Sequence, residues 1–392
     1  MDRRRGRPRR LLHAAGEPEG AEPRARAAHS DLARRPREPL PQRPAPRARR
    51  RHGRGRGGAR DHRPPLREVH RRAVPDAKRR RLPGSAGTRP RDGAALPPHL
   101  SGERDRWARW LLEHRHAGDP DELARQLPNL EEFRRRVLEN AEIREGDVVL
   151  DVGTGDGLIG FGALEFVGGS GRVIFSDVSE DLLDECRRIA DELAAADRCE
   201  FLRASADDLP LPNASVDVAT TRSVLIYLMN KRPAFVELHR VLRPGGRLSI
   251  FEPINVFGNE NWRERYWGLD VSPVEHLAEK VRARWKQPAE HPLLNFDERD
   301  LLRFAEEAGF AEIRMDYRAE IKQEPHWAKS WDTLKRYSGN PLDPTLEEEL
   351  QATLDDDERA EFETYLREEL ARRPLVPMRM ASVYLKAVKP EA

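Results

Sequence analysis

The sequence predicts an α/β fold, a sheet of seven strands with helices on both faces, and three observations carry that prediction. Beyond residue 101, short apolar runs alternate with amphipathic helical stretches. The runs are apolar at nearly every position, the pattern of strands buried on both faces. One run ends in a glycine-rich loop that leads straight into a helix, an arrangement that brings backbone N–H groups to a ligand.

Residues 1–100 stand apart from this pattern. They hold no Phe, Trp, Tyr, Ile or Cys, and they carry 15 of the 31 prolines and 28 arginines. Lys plus Arg number 29 there against 10 Asp plus Glu, which leaves 41 against 58 in the remainder, so the overall +2 averages a basic segment (+19) and an acidic one (−17). Such a stretch buries too little apolar surface to offset chain entropy and reads as disordered. A basic nucleic-acid arm would want interleaved aromatics, and a transit peptide would be Ser-rich and amphipathic. Translation of GC-rich DNA from an upstream start is the favoured reading. The folded domain is expected over 101–392. With no long apolar run and no signal peptide, a cytoplasmic protein without a membrane span is expected. Cys186 and Cys199 make neither a disulfide framework nor a zinc site, and no metal is expected.

The elements follow in order. Trp107, Trp110, Leu111 and His114 share a helical face. A helix over Leu130–Ala141 is capped by Asn129 and turns Phe133, Val137 and Leu138 inward. Val148–Val152 is the first strand and Val173–Asp177 the second. Ser179 opens a helix with Leu182, Cys186 and Ile189 inside, its first turn carrying Glu180 and Asp181. Glu200–Arg203 and Val216–Thr221 are strands three and four. Pro233 opens a helix that ends in the turn Arg243-Pro-Gly-Gly246. Leu248–Glu252 is strand five, Asp297 caps a helix to Gly309, and Ala311–Ile321 and Met380–Val388 complete the sheet. Two insertions, 255–295 and 322–378, interrupt this order.

The chemistry centres on Asp151-Val-Gly-Thr-Gly-Asp-Gly157. Gly153, Gly155 and Gly157 let a ligand approach the backbone closely. Asp151 is placed to pair with an ammonium group. A dinucleotide fingerprint would need glycine where Leu158 stands. Asp177, at the next strand's tip, is positioned to accept from two ribose hydroxyls, although a helix-start acid would look the same.

With Ser205-Ala-Asp-Asp-Leu-Pro210, Ser215-Val-Asp-Val218 and Val241-Leu-Arg-Pro-Gly-Gly-Arg247 added, the chain resembles the class I S-adenosylmethionine-dependent methyltransferases, over roughly residues 130–320 and the final strand. The resemblance implies a Rossmann-like sheet of order 3-2-1-4-5-7-6 with its last strand antiparallel, and S-adenosyl-L-methionine as cofactor. It implies that Asp151, Gly153, Thr154, Gly155 and Gly157 line the methionine end. Asp177 and Val178 then meet the ribose, and Ser205, Ala206 and Asp207 flank the adenine. Ser205 departs from the acid or amide common in the family at that position.

Arg222, after strand four, is either a surface cation paired with an acid or a contact to the cofactor carboxylate or an anionic substrate. Methyl transfer needs no dedicated catalytic residue, and none is assigned. Glu252 is a candidate proton acceptor because strand ends face the ligand crevice, whereas His239 reads as structural. Specificity is expected from Trp107, Trp110, Trp262, Tyr266, Trp267, Trp327, Trp331 and Tyr337, either as aromatic walls or as packing for the inserted helices. The acidic domain disfavours nucleic acid, so a small-molecule acceptor is expected. A cofactor-binding scaffold that recognises a partner through its insertions is the alternative.

Overall fold

A computed structural model describes residues 104–258, 266–285 and 290–391. The reading of residues 1–100 as disordered, and the role given to Trp262, lie outside the described residues.

Seven strands form one sheet: β1 (Val148–Val152), β2 (Arg172–Asp177), β3 (Cys199–Arg203), β4 (Val216–Arg222), β5 (Leu242–Pro253), β6 (Ala311–Pro325) and β7 (Leu375–Val388). Their order is β3-β2-β1-β4-β5-β7-β6, with β1 to β5 parallel and β7 antiparallel to both neighbours. This is the Rossmann-like arrangement expected.

Strand β5 shows how both faces are covered. Its Leu248 and Ile250 join a core with Phe235, Leu238 and Val241 of α5 (Arg232–Val241) and Leu301 and Ala305 of α8 (Glu298–Glu307). The intervening Ser249 turns the other way, its hydroxyl donating to Val137 O of α2 (Pro120–Ala141) at 2.8 Å. Alternation along a strand therefore feeds two helical layers. α3 (Leu158–Ala163) follows β1, and α4 (Glu180–Glu192) follows β2, capped by the Ser179 hydroxyl. Asp297 and Asp300 cap α8 reciprocally, and Gly309 closes it at φ +96°.

Three boundaries differ from the sequence expectation. α2 begins at Pro120 behind the N-cap Asp119 and runs through Pro128, so Asn129 lies inside it. The proline's lost hydrogen bond is tolerated because tertiary bonds hold the first turns: Arg125 donates to Trp327 O at 3.1 Å, and Thr333 donates to Asp119 at 3.2 Å. The Arg243–Gly246 turn is absorbed into β5 as a bulge where pairing shifts from Val216–Leu242 to Val218–Arg247. β6 and β7 extend to Pro325 and Leu375 as a ribbon beyond the sheet, narrowing the second insertion.

The two insertions fold together. Tyr266, Trp267, Leu277 and Val281 of the first share a buried cluster with Trp331, Leu334, Leu350, Phe362 and Leu366 of the second. Helices α7 (Glu275–Trp285), α9 (Trp331–Arg336), α10 (Leu346–Thr353) and α11 (Asp356–Ala371) build this cap, and α6 (Asn255–Gly258) lies along β7. Among the described residues no helix is long and apolar enough to cross a membrane, and no three His, Cys, Asp or Glu side chains cluster as metal ligands.

Candidate functional site

The site lies at the carboxyl edge of the sheet, where β1 turns into α3. Gly153, Gly155 and Gly157 all have positive φ (63°, 58° and 83°), which side chains with a Cβ resist. A Cβ at Gly153 would run into the Val224 side chain, and one at Gly155 would press Leu111 at 3.1 Å. The loop is therefore a bare backbone cradle.

Two buried carboxylates shape that cradle. Asp177 accepts from Gly155 N and Ser179 N, each at 2.9 Å, which ties the tip of β2 to the middle of the loop. Burial raises its pKa despite these bonds. Asp151 accepts from the Thr154 hydroxyl at 2.7 Å, the Thr220 hydroxyl at 2.8 Å and Gly160 N at 2.9 Å. Burial pushes its pKa up to about 6. Its oxygens face the protein, so its place here is that of an internal strut between β1, β4 and α3. Val178 is exposed beside Asp177. After β3, the Ser205 hydroxyl bonds Asp207, Ala206 is buried and Ala204 N donates to Asp177 O at 2.9 Å. The loop, Asp177 and the Ser205–Asp207 turn thus stand at neighbouring strand tips.

A short helix covers this edge. α1 (Arg106–Arg109) continues as a wide π turn, Trp110–His114, closed by Arg115 N donating to Trp110 O at 2.7 Å. Asp105 caps α1 and also accepts from the Ser179 hydroxyl at 2.7 Å, fastening the helix to the start of α4. Trp107 meets Tyr227 edge-on at 5.1 Å, and Trp110 Nε1 donates to Ser338 O of the cap at 2.9 Å.

Arg222 makes no ion pair among the described residues, which removes its surface-pair reading. Its guanidinium lies 5.9 Å from the centre of the Phe133 ring. Burial and the nearby Arg115 charge lower its pKa to about 10, and burial followed by Arg115 lowers His116 to about 4.

Residues 149–246 match the model of a methyltransferase domain. The chain is 26% identical over 194 residues to the ubiquinone/menaquinone biosynthesis C-methyltransferase of Francisella tularensis subsp. novicida, covering 46% of this chain and 73% of that protein. It is 29% identical over 185 residues to the same enzyme of Cronobacter sakazakii, with the same coverage. These matches support a class I S-adenosylmethionine-dependent methyltransferase. Solved structures similar to this methyltransferase include a Bacillus halodurans protein described as a putative methyltransferase, at 19% identity and TM-score 0.40, covering 66% of this chain and 98% of that one. Another is the geranyl diphosphate C-methyltransferase of Streptomyces coelicolor, at 16% identity and TM-score 0.40, covering 70% and 84%.

Several expectations for the methyltransferase's site need correction. Glu252 is fully buried and accepts from Val224 N and Leu225 N at 2.8 Å and Ile226 N at 3.3 Å. Burial raises its pKa to about 7, yet it faces backbone rather than an acceptor, so it is a loop clamp and no proton acceptor. His239 packs as the structural residue expected, at the opposite edge of the sheet and edge-on to Phe310 at 5.0 Å, with its pKa lowered by burial and Lys389. Tyr266, Trp267 and Trp331 pack the cap core and form no acceptor wall. Trp327 leans on Tyr337 at 4.4 Å, and both stay half-buried. Sequence reasoning missed Arg115, His116 and Tyr227. They sit in irregular segments, where no periodicity marks a residue that faces the site.

Proposed function

We propose that the methyltransferase holds S-adenosyl-L-methionine across the tips of β1, β2 and β3. It then directs the methyl group to a small molecule beneath α1 and releases S-adenosylhomocysteine. The observation that carries this reading is the coincidence of three positive-φ glycines with the Asp177 carboxylate bonded to Gly155 N. A Cβ-free cradle suits an amino-acid moiety, and an acid at the second strand tip suits a ribose diol. Gly153, Thr154, Gly155 and Gly157 would line the methionine end, with the Asp151 strut holding the loop in shape. Asp177 would accept from the ribose, Val178 would offer an apolar edge, and Ser205, Ala206 and Asp207 would flank the adenine.

Bound there, the sulfonium supplies an electrophilic methyl group and a neutral leaving group. The chain's task is then to orient the acceptor in line and exclude water. α1, fastened at Asp105 and through Trp110, closes the crevice on one side, and Glu252 fixes the Val224–Ile226 turn on the other. The relatives act on carbon of quinone precursors by their names, and the half-buried Trp107, Trp110, Tyr227 and Tyr337 suit a planar acceptor. We extend the catalytic domain over residues 101–392, insertions included.

Calorimetric titration of the full chain with S-adenosylhomocysteine should give a saturable site. Asp177→Asn, which retains an acceptor for Gly155 N but loses the charge, should weaken it by about tenfold. Failure to bind, or an unchanged Kd in the variant, would refute the assignment. Label transfer from methyl-tritiated cofactor to a panel of phenols and quinols then reads the acceptor.

A further inference from the structure

Two arginines at this edge have no carboxylate partner among the described residues. Arg135, Arg187, Arg188, Arg240 and Arg243 each bond one or more acids. Arg115 and Arg222 do not, although each is only half exposed. Burial and the Arg115 charge lower the pKa of Arg222, and burial with both arginine charges lowers that of His116, as groups gathered around one space would. Asp156 and Asp151 are the acids near Arg222, and Asp156 lies near His116 too; Asp151 is taken up by Thr154, Thr220 and Gly160 N, and among the described residues neither acid forms an ion pair with Arg115 or Arg222.

Each guanidinium has an aromatic ring beside it: Arg222 has Phe133 at 5.9 Å, and Arg115 has Trp110 at 5.5 Å. Such stacking occupies a planar cation's face and leaves its N–H edge for a ligand. The position matters as well. Phe133 lies against Phe251 of β5 at 4.5 Å, so Arg222 leans toward β5, away from the β1–β2 side where the glycine cradle lies. Tyr227, in the turn after β4, meets Trp107 of α1 edge-on at 5.1 Å, so α1 and the β4 tip face each other across this space.

From this arrangement we propose that Arg115 and Arg222 together bind the carboxylate of a planar, anionic acceptor, held between α1 and the tips of β4 and β5. The assignment rests on the methyltransferase reading of the site and specifies the substrate class. A carboxylate accepts two N–H edges at once, and neither guanidinium has an ion-pair partner among the described residues. A sulfonium cofactor in the neighbouring cradle adds further positive charge, which sharpens the preference for an anion.

Benzoate and its neutral isostere benzamide test this by calorimetry, on the full chain with and without saturating S-adenosylhomocysteine. Benzoate should bind about tenfold or more tighter than benzamide. Arg115→Gln and Arg222→Gln should each abolish that preference while benzamide and S-adenosylhomocysteine bind as before; circular dichroism checks that the variants fold. Equal binding of the two probes, or binding of neither, would overturn the proposal. So would a loss of S-adenosylhomocysteine affinity in both variants, which would assign the guanidiniums to the cofactor's own carboxylate. Failure of the wild type to bind S-adenosylhomocysteine while benzoate is still preferred would sink the cofactor reading and leave an anion site.

Discussion

Asp151 illustrates how a single buried charge is held at a strand tip. Three donors surround its carboxylate, yet burial raises its pKa from 3.8 to about 6. A folded-state pKa above the unfolded one means that the native state binds the proton more tightly. Its contribution to stability is therefore present below about pH 4 and lost as pH rises through 6. Asparagine can keep the bonds: its oxygen accepts from Thr154 and Gly160, and its amide donates to the Thr220 hydroxyl, which can turn toward Leu150 O at 3.5 Å. Asp151→Asn should accordingly gain on the wild type as pH rises from 4, by on the order of 3 kcal/mol, and level off above pH 6. Urea unfolding across that range measures the gap, and a pH-independent gap would refute the assignment. Asp151 also bears on the ligand. A strut predicts a nearly unchanged Kd for S-adenosylhomocysteine, whereas a partner of the ammonium group predicts a weaker one.

At the scale of elements, the β5 tip holds the turn that follows β4. Glu252 takes three consecutive backbone N–H groups, from Val224, Leu225 and Ile226, and so fixes both the Val224 wall against Gly153 and the Tyr227 ring. In Glu252→Gln one oxygen still serves Val224 and Leu225, but the amide NH2 confronts the Ile226 N–H. That leaves a buried donor unpaired, at a cost of about 1–3 kcal/mol. Amide exchange should rise at 224–226 and kcat should fall; unchanged exchange there would show that the clamp is dispensable. This clamp was not legible in the sequence, where Glu252 at a strand end looked equally like a base. What was legible came from local signals. Val148–Val152, Ser179 and Asp297 declare themselves by apolar runs and caps, and the Gly153–Gly157 loop by its spacing. What was not legible depends on distant chain. The start of α2 beyond Pro128 relies on bonds from Trp327 and Thr333. Likewise, Arg115, His116 and Tyr227 meet only once α1 has docked on the sheet.

Among the described residues the cap has a core of its own, and its separation from the core beneath the sheet decides how the molecule should fail. The cluster around Tyr266, Trp267, Leu350 and Phe362 shares no residue with the one around Leu150, Phe235 and Ile250. Neither insertion can bury its apolar face without the other, which is why the sequence left Trp331 and Tyr266 open between substrate wall and helix packing when each stretch was considered alone. The cap is nevertheless joined to the site, through Ser338 accepting from Trp110 and Trp327 accepting from Arg125. Phe362 is fully buried, edge-on to Tyr266 at 5.2 Å. Phe362→Ala removes about 3–5 kcal/mol from a core made of short helices, a large share of any domain's stability. The expected outcome is a biphasic urea transition, with the cap melting first and the glycine cradle still intact. S-adenosylhomocysteine should then bind nearly as in the wild type, while labelled methyl transfer drops more than about tenfold because α1 has lost its hold on the acceptor side. A single cooperative transition in which cofactor binding disappears with the cap would show instead that both cores stand or fall together.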